Sequence, residues 1–438
     1  MKPIQLPPSI NSKECFKAGF EILQNKDYAS IIDVINDKYL YWDKVKYQET
    51  PTNVRKEDLW AAVKLSRSIH ARRIGFGKYS FTYNTTDNIQ KNLHEFDLNI
   101  GGQLGSKGII PEEDKKRYLI SSVMEEAIAS SQIEGAVTTR KKAKEMLRKN
   151  TRPRTKSEQM IVNNYITIRR ITEIQNEDLT LLKLLEIHKL ITSQTLDNEI
   201  DEGQFRESND INVVDVIDGE IVHIPPDYKE INGLIEEFCR FFNDKNDKKF
   251  IHPIIKGCVI HFLIGFIHPF VDGNGRTARA LFYWYLLSKG YWLTEYLSIS
   301  RLIIKSKMQY ALAYLYCEKD SLDLTYFINY QLKTMSLAYD SLREYIQRKI
   351  NEKKRLTEFQ RIDGINERQA YIIKWLYEEA DLIFSIKEIE TRFSVSNQTA
   401  RTDLLKLVEL GFLEEIKIND KKKAFIRSDK FLGLIKTK

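Results

Sequence analysis

From His268 to Arg279 the chain reads HPFVDGNGRTAR. A histidine, a carboxylate, a Gly-Asn-Gly turn and two arginines crowd into that stretch. Pro269 disfavours helix at His268, so a preceding helix should end there and leave the imidazole at a loop mouth. Asp272-Gly273-Asn274-Gly275 is a turn-forming cluster, and its glycines allow positive φ and close backbone approach. Successive amides in such a turn make an anion-binding nest. A helix opening near Gly275 adds free N–H groups and the positive end of its dipole. Arg276 and Arg279 lie three apart on that helix, and guanidinium forks suit phosphate oxygens. Asp272 is a hard oxygen ligand, and one carboxylate with phosphates and water is the usual Mg²⁺ arrangement. A histidine neutral at working pH can take a proton. These residues point to phosphoryl-type transfer onto a hydroxyl, with His268 as base. There is no Walker A pattern and no dinucleotide fingerprint. Singly, each residue fits a polar loop with Asp272 as an N-cap. At this spacing, the set does not.

A second stretch, SSQIEGA from Ser130 to Ala136, ends an amphipathic helix pattern. Gly135 reads as the C′ terminator. Glu134 in the last turn opposes the helix dipole, which points to a partner elsewhere or to a solvated surface glutamate.

The elements that must position these residues are mostly helical by periodicity. KEDLWAAVKLSRSIHARRIG reads as an amphipathic helix ending at Gly75, inside an accessory region over 1–95. A Gly-rich break spans Asn99 to Asp114. Helices then carry the SSQIEGA stretch and the segments up to the first motif. The segment from Ile211 to Asp227 differs: β-branched runs flank Asp218-Gly219, a strong hairpin signal. PIIKGCVIHFLIGFI leads into His268, and the FYWY group at Phe282 to Tyr285 reads as core. His261 reads as a packed supporting histidine and His252 as a helix-start residue. A charged stretch from about 342 to 361 reads as a linker helix. The last ninety or so residues run helix, short apolar strand, helix, turn, helix capped by Ser396, and two strands. That order is a winged helix-turn-helix. Its recognition helix carries Arg401 and Lys406, and its wing Lys417 and Lys421 to Lys423. Asp403 and Glu409 on the same helix dilute the case for phosphate binding. DNA and protein both remain open as its partner.

The 438 residues are 42% hydrophobic, 11% aromatic and 29% charged, an ordinary globular composition. Net charge is +7 and the pI about 8.8, compatible with an anionic ligand without demanding one. Cys15, Cys239, Cys258 and Cys317 form no C-x-x-C pair, which argues against a zinc site and a disulfide scaffold. Free buried thiols, no apolar leader and no membrane-length run lead to the expectation of a cytoplasmic protein with no membrane partner.

HPFVDGNGRTAR closely resembles the Fic family signature, H-P-F-x-D/E-G-N-G-R-x-x-R, at every fixed position. The resemblance extends over roughly residues 100–345. It implies a compact helical fold with a β-hairpin flap and transfer of AMP from ATP to a Tyr, Thr or Ser hydroxyl of a protein. It also implies His268 as general base, Asp272 as Mg²⁺ ligand, and Gly273, Asn274, Gly275 and Arg276 around the nucleotide phosphates. Arg279 would clamp the γ-phosphate. A branch of the family that transfers phosphate carries Lys at the position of Gly275, and this chain keeps Gly. Ser130, Glu134 and Gly135 resemble the family's inhibitory motif, S/T-x-x-x-E-G/N, whose glutamate pairs with the second arginine. That implies autoinhibition in cis, with reversal of the modification as a further activity of the same glutamate. Ile211 to Pro226 resembles the flap where a target strand docks. Arg206 in GQFR resembles a structural pre-flap arginine, and Tyr310 a tyrosine near the adenine. Relatives often regulate themselves by association, which adds a homodimer to the implied partners.

The expected architecture is mainly α. It has an accessory region over 1–95, a Fic core over 96–345 with an inhibitory helix at about 117–135, and a linker helix with a winged helix-turn-helix over 346–438. The leading functional reading is a protein adenylyltransferase held in check by Glu134, with ATP, Mg²⁺ and a target hydroxyl as partners. The alternatives are a DNA-binding regulator with a nucleotide-sensing core, and an enzyme that chiefly removes AMP.

Overall fold

A computed structural model of the chain describes residues 4–10, 12–50, 54–101, 112–214, 219–244, 249–419 and 422–436. The architecture is mainly α, with three antiparallel hairpins among the described residues. Contacts divide the chain into two compact units, Met1–Leu342 and Arg343–Lys438.

The first unit opens with α1 (Lys13–Gln24) and α2 (Lys26–Asp37), begun by Ser12 and Asn25, whose side chains accept from Cys15 and Asp27 N–H. A short α3 (Trp42–Val45) leads to α4 (Lys56–His70). Gly19 lets α1 lie against α4, since a Cβ there would stand 2.7 Å from that of Ala61. The helix expected to run to Gly75 stops at His70. Arg72–Phe76 is instead a strand, β1, paired with β2 (Tyr79–Tyr83) around Gly77-Lys78. Ile74 and Phe76 face the core with Phe81 and Tyr83, an alternation that outweighs the helical pattern before it.

This N-terminal region does not stand apart from the rest of its unit. The buried Arg67 donates to Asn36 Oδ1 (2.9 Å), Tyr326 hydroxyl (2.8 Å) and Leu40 carbonyl (2.9 Å). Its guanidinium also lies over the Tyr39 ring at 3.9 Å. A buried cation so fully bonded escapes most of its desolvation cost. Lys64 pairs with Asp320 at 2.9 Å alongside.

Next come α5 (Asp87–Asn99), α6 (Glu112–Ile133), α7 (Arg140–Lys149), α8 (Lys156–Ile174) and α9 (Leu181–Thr192). Thr86, Thr139, Thr155 and Thr180 cap α5, α7, α8 and α9 through side-chain oxygens. Most of the Gly-rich break, 102–111, lies outside the described residues. The expected hairpin holds strands β3 (Val213–Val214) and β4 (Ile221–His223); positions 215–218, with Asp218, lie outside the described residues. Then follow α10 (Ile231–Phe242), α11 (Pro253–Ile267) and α12 (Asn274–Ser288). His252 caps α11 by accepting from Ile254 N–H. α11 and α12 are buried on nearly every side, as apolar helices without a polar face must be. Phe282, Tyr283, Trp284 and Tyr285 are all core, and Gly257 lets Leu286 pack closely on α11. These two helices frame the loop between His268 and Gly273. α13 (Ile299–Lys305), α14 (Lys307–Lys319) and the first part of α15 (Thr325–Gln360) complete the unit.

The second unit holds the remainder of α15, then α16 (Glu367–Glu378), α17 (Ile386–Phe393) and α18 (Asn397–Glu409). Strands β5 (Leu413–Asn419) and β6 (Lys422–Arg427) and a closing α19 (Phe431–Lys436) follow. Asn366 and Gln369 form a capping box on α16, and Ser396 caps α18. The short apolar strand is reduced to one bridge, Phe384 to Phe425. Leu376, Phe384, Leu404, Phe412, Phe425 and Phe431 centre its core. Asp403, expected on the surface of the recognition helix, is 3% exposed. Its carboxylate accepts from Arg368 Nε (2.6 Å) and Asn366 Nδ2 (2.7 Å), locking α18 to α16. Lys421 lies outside the described residues, and Lys423 pairs with Glu415 at 2.6 Å.

Candidate active site

His268 is the residue after the last turn of α11. It adopts φ 48°, ψ 57°, a left-handed conformation uncommon for a non-glycine residue, and its N–H still reaches Ile264 carbonyl at 3.0 Å. Pro269 next in sequence is compatible with that ending. Nδ1 lies 3.3 Å from Gly265 carbonyl. A carbonyl only accepts, so Nδ1 carries the hydrogen and Nε2 is left with its lone pair. Burial pushes the imidazole pKa down to about 4, against the opposing pull of the Gly265 carbonyl. At neutral pH this histidine is an uncharged base.

The loop beyond is held from several sides. Gly273 sits at φ 85° as N-cap of α12, and a Cβ there would come within 2.8 Å of Thr192 Cγ2. Both glycine properties, positive φ and close approach, are therefore in use at this residue. Asn274 mimics backbone: its amide nitrogen donates to Phe270 carbonyl (2.8 Å) and its oxygen accepts from Phe270 N–H (3.0 Å). Arg276 is 0% exposed. It donates to Ile191 carbonyl (3.0 Å) and Asp272 Oδ2 (3.3 Å), while burial lowers its pKa. The side chains of Asn274 and Arg276, expected at nucleotide phosphates, are thus engaged in building the loop. Both also bring backbone N–H groups, since the first amides of a helix have no partner within it, and Arg276 Nε is buried with no hydrogen-bond partner among the described residues.

His188 on α9 was missed in the sequence. It stacks on Phe270 with ring centroids 3.6 Å apart. Its Nε2 meets Asp272 carbonyl (2.9 Å), and its Nδ1 accepts from Gly203 N–H (3.1 Å). Those partners fix the neutral Nε2–H tautomer, and burial lowers the pKa to about 4. Both partners are backbone groups, so no motif marks this residue. Arg206 closes the other side. Its Nε donates to His268 carbonyl (2.9 Å) and Nη2 to Pro226 carbonyl (2.5 Å), while its N–H meets Pro269 carbonyl (2.9 Å). One side chain therefore joins the loop to the end of the hairpin. His223 of β4 adds a second tie, through Nε2 to Phe266 carbonyl and Nδ1 to Glu318, both at 2.8 Å.

Glu134 meets α12 at its N-terminus. α6 ends in a Schellman motif: Ala136 N–H reaches Ser131 carbonyl (3.0 Å) and Gly135 N–H reaches Gln132 carbonyl (3.3 Å), with Gly135 at φ 92°. That turn delivers the Glu134 carboxylate to Arg279 at 2.8 Å. A Cβ added at Gly275 would overlap the same carboxylate. Arg279 Nε donates to Ser130 Oγ (2.9 Å) and Nη2 to Ser130 carbonyl (3.0 Å). Burial works against its charge, but Glu134 together with Tyr310 and Glu126 outweighs it and the pKa is raised. Its Nη1 is buried with no partner among the described residues and would stand 3.2 Å from a Gly275 Cβ. An anionic group and an unspent guanidinium donor therefore share one small space at the start of α12.

Tyr310 on α14 lies beside this space. Gln331 Nε2 donates to His261 Nδ1 (2.8 Å), so His261 donates through Nε2 to Tyr310 hydroxyl (2.8 Å). Burial pushes Tyr310 up to about 12. His261 is buried support, and Tyr310 is placed against the Arg279 surroundings.

Asp272 is the candidate Mg²⁺ ligand. Its side chain is 52% exposed. One oxygen accepts from Gly273 N–H and the other faces Arg276. No cluster of three metal-ligating side chains occurs among the described residues. A single accessible carboxylate fits an ion that takes its other ligands from phosphates and water.

The glycines of the two stretches make a direct comparison. Gly273→Ala meets both φ strain and the Thr192 contact, whereas Gly135→Ala meets φ strain in open space. Denaturant unfolding should show a loss of about 2 kcal/mol or more for Gly273→Ala and about 1 kcal/mol for Gly135→Ala. Equal losses would contradict the close packing of the loop on α9.

Known proteins match two parts of the chain. The family profile described as Fic/DOC family matches residues 178–286, and the one described as DeoR-like helix-turn-helix domain matches residues 368–416. The protein adenylyltransferase Fic of Drosophila melanogaster is 33% identical over 118 residues, 27% of this chain and 22% of the relative. The Drosophila yakuba protein of the same name is 31% identical over the same length and shares. The chain thus spans about a fifth of the length of these curated relatives. Among solved structures, a Fic family protein from Desulfovibrio desulfuricans G20 aligns with TM-score 0.49 and 18% identity over 78% of this chain and 95% of that one. Fic-1 from C. elegans aligns with TM-score 0.49 and 17% identity over 77% and 87%. The chain carries a Fic/DOC-family domain at residues 178–286 and a DeoR-like helix-turn-helix domain at residues 368–416.

Proposed function

We propose that this chain transfers AMP from ATP to a Tyr, Thr or Ser hydroxyl of a protein, and that Glu134 holds it inactive. One observation carries the reading: a built anion site at the N-terminus of α12 is filled by the chain's own carboxylate, ion-paired to Arg279 at 2.8 Å. The adenylyltransferase name of the Drosophila relatives supports the nucleotide and the reaction.

In this reading, the target hydroxyl gives its proton to His268 Nε2 as its oxygen attacks the α-phosphorus. The bond to the β-phosphate oxygen breaks and pyrophosphate leaves. The free N–H groups at the start of α12 bind the phosphate oxygens, and Arg279 holds the terminal phosphate once Glu134 has withdrawn. Asp272 would hold Mg²⁺, which when bound supplies charge neutralisation to the phosphates. Arg206 and His223 keep the hairpin against the loop, so that a target strand on the hairpin brings its hydroxyl to His268. Removal of AMP draws on the same residues, so transfer and release are both to be assayed.

The second unit favours DNA as its ligand. Because Asp403 is buried in its bond to Arg368, it adds no exposed charge to the start of α18, which presents Gln398, Arg401 and Thr402, while the Asn397 amide donates to Glu390 at 3.1 Å. Amides and guanidinium at a recognition-helix N-terminus suit base edges and phosphates.

With α-³²P-ATP and Mg²⁺, Glu134→Gly should raise incorporated label at least about tenfold over wild type, and adding His268→Ala should lower it at least about a hundredfold. Label that follows neither substitution would contradict both roles. The pH dependence follows from the depressed His268 pKa of about 4. The base is active when neutral, so kcat/KM of Glu134→Gly should stay level as pH falls through 6.5 and drop only toward pH 4. An acid limb centred near 6.5 would contradict a buried base.

A further inference from the structure

The hairpin β1–β2 uses one edge, and the other meets no backbone partner among the described residues. Thr82 of β2 donates its N–H to Leu322 carbonyl (3.1 Å) and accepts from Leu324 N–H (2.8 Å). Those groups therefore face away from β1. Thr82 stands opposite Arg73, and in such an antiparallel pair both residues turn their polar backbone groups outward. Arg73, and Gly75 two residues on, thus direct N–H and C=O to the far edge of β1. No backbone partner meets them there among the described residues.

A groove of about 820 Å³ follows that edge, within the size range of binding clefts. Glu237, Phe241, Lys249 and Phe250 line its other wall. Phe250 is 73% exposed, an unusual state for a large aromatic. Arg72 reaches across to Phe250 carbonyl at 3.0 Å near the start of β1. Glu237, the one acid in the lining, accepts from Gly77 N–H at 2.8 Å. The exposed charges left over, Arg73 and Lys249, are positive. Gly75 has open space where a side chain would stand, so a neighbouring backbone can come close.

We propose that the free edge of β1 docks an extended acidic segment of a partner protein as a third strand. Backbone bonds form at Arg73 and Gly75, carboxylates meet Arg73 and Lys249, and alternate apolar side chains cover Phe241 and Phe250. A second copy of this chain is the poorer occupant, because pairing β1 with itself brings arginines together. The surface uses none of the residues around His268 and does not depend on the reaction proposed there.

The test is fluorescence anisotropy on the full chain with labelled peptides in which Glu, or Lys in its place, alternates with Val and Thr. The Glu peptide should bind saturably, and the Lys peptide at least about tenfold more weakly. Gly75→Pro removes an outward N–H without touching the β1–β2 ladder, and Arg73→Glu reverses the charge. Each should weaken the Glu peptide by about tenfold or more, with thermal unfolding as the check on folding. Arg73→Glu should also improve binding of the Lys peptide, a gain that misfolding cannot produce. The proposal is overturned by lack of saturable binding to wild type, or by binding that ignores both substitutions. Self-association lost on Arg73→Glu would assign the edge to a second copy and overturn it as well.

Discussion

The start of α12 is the constraint on which the first unit depends. A helix N-terminus sunk among α6, α9 and α11 brings amides without partners and the positive end of a dipole into a buried place. Arg279 adds a buried cation one turn in. So much positive potential requires an anion, and Glu134 supplies one at 2.8 Å. An exposed ion pair is worth little, but here Arg279 is buried and loss of Glu134 would leave its charge uncompensated. The charge is therefore balanced as it stands, though Arg279 Nη1 has no partner among the described residues, and a phosphate would have to offer more than the carboxylate it replaces.

The surrounding contacts make the site stiff before any ligand arrives. Asn274 fastens the loop to Phe270, His188 holds Asp272 carbonyl, Arg276 ties α12 to Ile191, and Arg206 fastens His268 to the hairpin. All four spend side-chain groups mainly on backbone. That division of labour leaves backbone amides, the His268 lone pair, Asp272 and Arg279 for the transfer proposed above. Preorganised dipoles of this kind are the largest single source of transition-state stabilisation in many enzymes.

Local features were legible in the sequence. The stop of α11 at His268, the Gly135 terminator and the Ser396 cap each rest on a few adjacent residues. The Glu134–Arg279 partnership spans 145 positions and came only through family resemblance, since the local reading said merely that the glutamate needed a partner. His188 was invisible because backbone carbonyls and amides leave no trace in sequence. Asn274 at the phosphates came through the family resemblance and Arg276 also through its residue type, and neither signal could show that their side chains bond the loop and α9 as well. Arg72 to Gly75, most of β1, was read as the end of the preceding helix because Gly77-Lys78 is a weaker turn signal than Asp-Gly. Asp403 was counted as surface charge because its partners Asn366 and Arg368 lie a helix away.

In the proposed reaction, Glu134 and the terminal phosphate of ATP compete for one place on Arg279 and α12. Calorimetric titration of ATP and of AMP into wild type and Glu134→Gly tests that competition most directly. The substitution should tighten ATP at least about tenfold while changing AMP far less. An equal effect on both nucleotides, or none on ATP, would contradict it.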